Sequence, residues 1–169
     1  MVSRTDLCHY TEADARKAVA YLNSHALVGV DTETRPFFFA KGMVNQVALL
    51  QVATADACFL FRLNHIGLPD FLEEFLQNDV LKVGLSLKDD FRMLSRRNRQ
   101  DPRTGNWVEL QDYVPHFGIE EMSLQKIYAL LFGGEDFENA TAVQLGSGNA
   151  DGSPAVVCGH RCLGLRTNL

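Results

Sequence analysis

Short apolar runs alternate along the chain with segments in which apolar residues recur every three or four positions. Short runs bounded by polar residues predict strands, and the longer spacing predicts helices that bury one side. The predicted strands cover residues 26–31, 44–53, 57–62, 80–84 and 108–110. The predicted helices begin after Thr11, cover 69–77 and 86–97, and run from Ser123 to Leu131. Three strands in close succession, followed by alternating helices and strands, predict an α/β fold.

The first predicted helix has the clearest start signal. Thr11 stands at the capping position and Asp14 follows three residues later, in the manner of a capping box. The apolar positions behind this cap predict a buried side made of Ala15, Ala18, Val19 and Leu22. The same spacing gives the last predicted helix a buried side made of Leu124, Ile127 and Leu131.

Two carboxylates stand at the end of the strand predicted over residues 26–31. Alternation along a strand places Asp31 and Glu33 on the same face. Adjacent carboxylates repel each other unless something neutralises them, and hard cations such as Mg²⁺ and Mn²⁺ take oxygen ligands. The pattern therefore predicts a metal site, and the alternative is a polar strand end with two solvated acids.

A second acidic candidate follows the strand predicted over residues 80–84. A glycine–serine turn leads into a helix that is apolar on one side between Leu87 and Leu94. Asp90 falls one turn into this helix and could face the first pair of carboxylates. Its neighbour Asp89 is the alternative ligand.

Together these two segments resemble the DEDD superfamily of 3′-5′ exonucleases. A strand that ends in Asp-x-Glu precedes the pattern Val-Gly-x-x-x-x-x-Asp-x-x-x-Leu, which begins at Val83. The likeness is nearest to the branch that contains the Werner-syndrome exonuclease domain and ribonuclease D, and the segments 42–54 and 57–61 match the second and third strands of that family. The resemblance covers about residues 1–134. It implies a ribonuclease-H-like fold, with a mixed central sheet and flanking helices.

The resemblance also implies a metal-dependent hydrolase that removes nucleotides from a 3′ end. Asp31, Glu33 and Asp90 would be catalytic and would bind Mg²⁺ or Mn²⁺, with two metal sites as in two-metal phosphodiester hydrolysis. Asp31 would bridge both ions, Glu33 would bind one, and Asp90 would bind the second. The family register favours Asp90 over Asp89 for this role.

The residues after Glu33 are candidates for binding the strand end. By the same resemblance the backbone N–H of Thr34 would contact the terminal sugar, and Phe38 would stack on a base. The alternative is that Phe38 and its neighbouring phenylalanines pack beneath a loop. A net charge of −5 argues against a broadly basic surface that grips long nucleic acid, but it leaves room for a site that takes one strand end. The partner that the resemblance implies is single-stranded or 3′-ended DNA or RNA.

The resemblance stops near Gly134. The family branch carries a third motif, Tyr-x-x-x-Asp, and no tyrosine follows Tyr128 in this chain. Residues 135–169 are either a bare C-terminal tail or the product of a shifted reading frame. We favour the shift, because codons read from their second base permit Tyr-Ala-Ala-Thr-Asp-Ala-Trp over residues 157–163. The sequence thus predicts an incomplete exonuclease domain over residues 1–134, an irregular non-family tail, and a C-terminal helix of the fold that is missing or irregular. By the resemblance the absent aspartate would complete the ligands of the first metal ion, so the chain is not expected to form both metal sites of the family.

The four cysteines suggest no disulfide framework, so a reducing cytoplasm is the expected location. Cys158 and Cys162 flank His160, and these are ligand types that zinc accepts, but no second cluster completes four ligands. A shifted reading frame would make this cluster an accident of translation. No apolar stretch approaches the length of a membrane span, so no membrane partner is expected.

Three functions remain open from the sequence. The first is a 3′-5′ exonuclease whose activity is impaired by loss of the third motif. The second is a catalytically inactive protein that binds a nucleic-acid end or a single metal ion. The third is a damaged product that self-associates through an exposed apolar core.

Overall fold

The structure, a computed structural model of the chain, describes residues 5–9, 11–34, 47–97 and 101–132. The strands are β1 (Thr5–His9), β2 (Leu27–Thr34), β3 (Val47–Ala53), β4 (Ala57–Arg62), β5 (Leu81–Gly84) and β6 (Trp107–Glu109). The α-helices are α1 (Glu12–Leu22), α2 (Leu63–Ile66), α3 (Asp70–Gln77), α4 (Leu87–Leu94), α5 (Leu110–Tyr113) and α6 (Leu124–Phe132). Two 3₁₀ helices cover Pro102–Thr104 and Val114–Phe117.

The six strands form one mixed sheet in the order β1-β4-β3-β2-β5-β6. The β2–β3 and β3–β4 pairs are antiparallel, whereas β1–β4, β2–β5 and β5–β6 are parallel. Strand β2 therefore lies inside the sheet, with an antiparallel neighbour on one side and a parallel neighbour on the other. The predicted fold class, a mixed central sheet with flanking helices, is confirmed. Strand β1 and the short helix α2 were not predicted.

The main core lies between one face of the sheet and helices α1, α3 and α4. The Thr11 side chain accepts a hydrogen bond from the Asp14 N–H at 3.2 Å, so the predicted cap of α1 is present. The predicted buried side of α1 is confirmed in full. It packs against alternate residues of the central strands, among them Val28, Val30 and Phe61.

Helices α4 and α6 differ from their predictions. Helix α4 ends at Leu94 instead of residue 97, where the Ser95 hydroxyl donates to the carbonyl of Phe91 at 2.7 Å. The same carbonyl also accepts the last helical bond from the Ser95 N–H at 2.9 Å, so the hydroxyl adds a second bond at the end of the helix. In α6 the predicted burial of Leu131 is wrong, because this side chain is 55 % exposed and lines an open pocket.

Several predictions fall outside the described residues. They concern Phe38, the tail over residues 135–169 with its cysteine–histidine cluster, and the C-terminal helix of the fold. The domain boundary near residue 134 stays a prediction. Among the described residues, the helices are all too short or too polar to cross a membrane.

Candidate active site

The end of β2 carries the first two predicted acids, Asp31 and Glu33. Their partners in the ladder with β3 are Gln51 and Leu49, and strand alternation places both acids on the same face of the sheet. The pairing register shifts between Glu33 and Thr34, and bulges of this kind re-aim the neighbouring side chains. Asp31 is half-buried with its Oδ2 atom shielded from solvent, whereas Glu33 and Thr34 are exposed. The strand end thus presents one sheltered and one accessible carboxylate.

Helix α4 brings the third predicted acid to the same strand end. The hydroxyl of Thr32 donates a hydrogen bond to Oδ1 of Asp90. This bond fixes the first turn of α4 at the position of β2 that lies between Asp31 and Glu33. By alternation Thr32 belongs to the opposite face of the strand, so Asp90 approaches β2 from the side of the main core.

The two neighbouring aspartates of α4 differ in their surroundings. Burial raises the pKa of the Asp90 carboxyl group above its ordinary value, the hydrogen bond from Thr32 opposes that rise, and the charges of Asp89 and Glu109 add to it. Asp89 is instead exposed and forms an ion pair with Arg92 at 3.2 Å. Of the two neighbouring aspartates, Asp90 is therefore the one that contacts β2.

A close approach at Gly84 lets α4 begin beside β2. A Cβ atom on Gly84 would lie 2.3 Å from Cδ2 of Leu87 and 3.0 Å from the carbonyl oxygen of Val30. Because Leu87 is buried, its side chain cannot easily move aside. Glycine is therefore required where β5 passes into the turn that leads to Asp90.

Glu109 is a residue of this site that the sequence did not reveal. Its Oε1 atom accepts hydrogen bonds from the N–H groups of Ser86 at 2.9 Å and Gln111 at 3.0 Å, and its Oε2 atom accepts from Leu87 at 2.6 Å. Glu109 is half-buried and pairs with Gly84 across the parallel strands β5 and β6. The only sequence signal was an acid inside the strand predicted over residues 108–110.

The described side chains do not by themselves form a metal centre. Within the part of the chain that the structure describes, no group of three or more histidine, cysteine, aspartate or glutamate side chains could hold an ion. Carboxylate oxygens are the donors that Mg²⁺ and Mn²⁺ prefer, so the ligand type fits. The ligand set is incomplete among the described residues, because Asp31 and Glu33 share one face of β2 while Asp90 is bonded to Thr32 on the other.

Residues 8–146 match the model of a protein family described as 3′-5′ exonuclease. The match includes β2, the turn at Gly84 and helix α4, which carry the three acids. Among curated protein sequences, none matches this chain.

Solved structures with the same fold include three nucleases or nuclease domains. The Aedes aegypti Nibbler EXO domain has a TM-score of 0.64 and 17% identity, over 76% of this chain and 68% of that one. Trypanosoma brucei RNase D in complex with RNA U12 has a TM-score of 0.62 and 16% identity, over 76% of this chain and 47% of that one. Escherichia coli RNase D has a TM-score of 0.63 and 13% identity, over 78% of this chain and 34% of that one. The chain thus spans about two thirds of the Nibbler domain and less than half of either RNase D.

Proposed function

This chain belongs to the 3′-5′ exonuclease family of the DEDD superfamily, a family of hydrolytic nucleases, and from this premise we propose that it hydrolyses phosphodiester bonds from the 3′ end of nucleic acid. The observation that carries the proposal is the hydrogen bond between Thr32 and Asp90. It joins the acid of α4 to the strand that bears Asp31 and Glu33. Two motifs that are distant in sequence, the end of β2 and the first turn of α4, are therefore joined by this bond.

In this proposal Asp31, Glu33 and Asp90 are the catalytic residues and the ligands of divalent metal ions, Mg²⁺ or Mn²⁺. Bound ions would place positive charge beside the phosphate and stabilise the attacking and leaving oxygens. The protein's own contribution is to hold one sheltered carboxylate, Asp31, beside an accessible one, Glu33. The acids that the structure describes do not by themselves complete the ligand set of such an ion.

The proposed substrate is single-stranded or 3′-ended DNA or RNA. Thr34 is exposed just beyond the bulge of β2, where its backbone N–H would meet the terminal sugar. Phe38, four residues later, is proposed to stack on a base. The RNA-bound structure of the Trypanosoma brucei RNase D makes RNA a reasonable first substrate to test.

We propose that the activity of this chain is impaired, since the Tyr-x-x-x-Asp motif is absent after Tyr128. The alternative function is a catalytically inactive protein that binds a nucleic-acid end or a single metal ion. One observation favours this alternative, namely that the described acids lack the arrangement of a metal centre. Comparison with a chain whose residues 135–169 are replaced by the peptide of the alternative frame tests the impairment. Faster cleavage by that chain is expected, and equal rates would contradict it.

Degradation of a 5′-labelled single strand in Mg²⁺ or Mn²⁺ tests the proposed activity. The wild type should shorten the strand progressively from its 3′ end, and Asp31→Asn should abolish this ladder. Asp56→Asn is the matched control, because Asp56 is an exposed acid in the turn between β3 and β4, and it should cleave as the wild type does. Binding of the strand without any ladder would support the alternative function.

We also propose that the chain self-associates through the apolar surface around α6. An open pocket of about 250 Å³ lies between α5, the 3₁₀ helix Val114–Phe117 and α6, and its lining is almost entirely apolar. Phe117 is 76 % exposed beside it, and Leu130 and Leu131 are exposed on α6. A contiguous apolar surface of this kind favours contact between copies.

A cytoplasmic location stays a prediction from the cysteine content.

A further inference from the structure

Helix α4 begins without a cap of its own. Its first backbone N–H groups have no partner within the helix, as in every α-helix, and a side chain normally accepts from them. Ser86 occupies the cap position in the left-handed conformation, with φ of 64°, and within the described part of the chain its side chain makes no capping hydrogen bond. The start of α4 therefore needs an acceptor from elsewhere in the fold.

Glu109 supplies that acceptor from strand β6. Its carboxylate takes the N–H groups of Ser86 and Leu87, at 2.9 and 2.6 Å, and a negative charge at this end of a helix is also favoured by the helix dipole. A third bond, from the N–H of Gln111 at 3.0 Å, holds the same carboxylate at the start of α5. One side chain thus joins the beginnings of two helices.

The residue that this cap holds in place is Asp90. Asp90 is the fourth residue of α4, one turn beyond Ser86, so its Cα position follows from how the first turn is anchored. On the other side Thr32 of β2 donates directly to its carboxylate. The two anchors come from β2 and β6, the strands on either side of β5.

We propose that Glu109 is a positioning residue that sets the place of Asp90 at the end of β2 by capping helix α4. The catalytic consequence rests on the proposed function, in which Asp90 takes part in the site, whereas the structural consequence does not. Neither glutamine nor aspartate could make the same hydrogen bonds at position 109. Glutamine would present an N–H₂ group where Leu87 needs an acceptor, and aspartate is shorter by one methylene.

Amide hydrogen exchange tests the structural part of this proposal in Glu109→Gln. Exchange across Ser86 to Asp90 should be about tenfold faster than in the wild type, because a charge-assisted bond from a backbone N–H is lost. Amides of α1, which lies in the main core, should be unaffected. Glu120→Gln removes the same charge from an exposed position and should exchange as the wild type does. Unchanged exchange at Ser86 to Asp90 in Glu109→Gln would overturn the proposal, whether or not the chain cleaves nucleic acid.

Steady-state cleavage of a single strand in Mn²⁺ tests the catalytic part. Assayed well below its melting temperature, Glu109→Gln should lower kcat about tenfold with KM unchanged within about twofold, since Asp90 would act on the reaction and not on substrate binding. Faster exchange with an unchanged kcat would show a cap that does not position a working residue, and would overturn the proposal. A wild type that cleaves nothing would refute the proposed function instead, and hydrogen exchange would then decide the role of Glu109 alone.

Discussion

Helices α4 and α6 are similar in length and α6 is the more apolar of the two, yet α4 is the one that the neighbouring strands hold. Helix α4 is held by β2 through Thr32 and by β6 through Glu109, and its Leu94 is fully buried in the main core. Helix α6 buries Ile127 in a small cluster with Val114 and Ile119, and leaves its last two leucines exposed. The position of a helix in this fold therefore depends on its bonds to neighbouring strands more than on its apolar content.

The largest expected effect comes from equal truncations in the two helices. Leu94→Ala should lower the free energy of unfolding by about 2–5 kcal/mol, because it opens a cavity in a fully packed core. Leu131→Ala should change it by less than about 0.5 kcal/mol, since that side chain is more than half exposed. Urea unfolding followed by circular dichroism measures both. Similar losses of unfolding free energy in the two variants would contradict the proposed difference between α4 and α6.

The second-largest expected effect is the pH dependence of stability that comes from Lys82, in the strand that leads into α4. Lys82 of β5 is fully buried, and its ammonium donates to the carbonyls of Val80 and Asn78 and to the side chain of Asn78, at 2.8–3.0 Å. Burial lowers the pKa of Lys82 from 10.5 to about 8, with Asp79 opposing the shift. Between these two pKa values the unfolded chain keeps a proton that the folded chain has lost. Stability from this group therefore rises with pH between about 8 and 10.5.

Unfolding measured across that pH range compares the wild type with Lys82→Met. As the pH rises, the free energy of unfolding of the wild type should increase by up to about 3 kcal/mol relative to that of the variant. Lys88→Met, at an exposed position on α4, should keep the slope of the wild type. Parallel curves for the wild type and Lys82→Met would show that the buried lysine does not titrate in this range.

A smaller effect is expected from the anchor between β2 and α4. Thr32→Val keeps the side-chain shape but removes the hydroxyl that donates to Asp90, and should cost about 1.5 kcal/mol. Thr34→Val makes the same change at an exposed position of the same strand and should be close to neutral. Thermal unfolding distinguishes the two, and equal melting temperatures would show that the Thr32 bond does not anchor α4.

The smallest effect should appear on the exposed side of α6. Leu131→Lys should reduce concentration-dependent self-association in sedimentation velocity, because it places a charge on the rim of the apolar pocket. Ser95→Lys adds the same charge at the exposed end of α4 and should leave association unchanged. If both variants associate as the wild type does, copies meet through another surface.

The sequence predicted most of the fold because the strongest patterns are local. The capped helix α1 and the buried runs of β2 to β4 depend on residues a few positions apart. The burial of Leu131 was predicted wrongly, because periodicity shows which side of a helix is apolar and not what covers it. Lys82 was missed inside a strand, since its acceptors are mostly backbone carbonyls, which carry no sequence signal.

The site was predicted in part for the same reason. Asp31, Glu33 and Asp90 stand at recognisable positions in two motifs, and the structure brings Asp90 to β2. Glu109 lies inside the strand predicted over residues 108–110, and its role as a cap could not be predicted, because two of its partners are backbone amides 22 and 23 residues away. Thr32, the residue between the two acids, gave no signal in the sequence, although its hydroxyl makes the bond that joins β2 to Asp90.

We propose that the end of β2 and the first turn of α4 form one hydrolytic site. Replacing each of the two adjacent aspartates of α4 in turn tests this proposal. The measurement is the single-turnover cleavage rate of a 5′-labelled strand in Mn²⁺ for Asp90→Asn and Asp89→Asn. We expect a loss of about a hundredfold or more for Asp90→Asn, which alters the residue bonded to Thr32, and a change within about twofold for Asp89→Asn. Equal rates for the two variants, or a larger loss for Asp89→Asn, would contradict it.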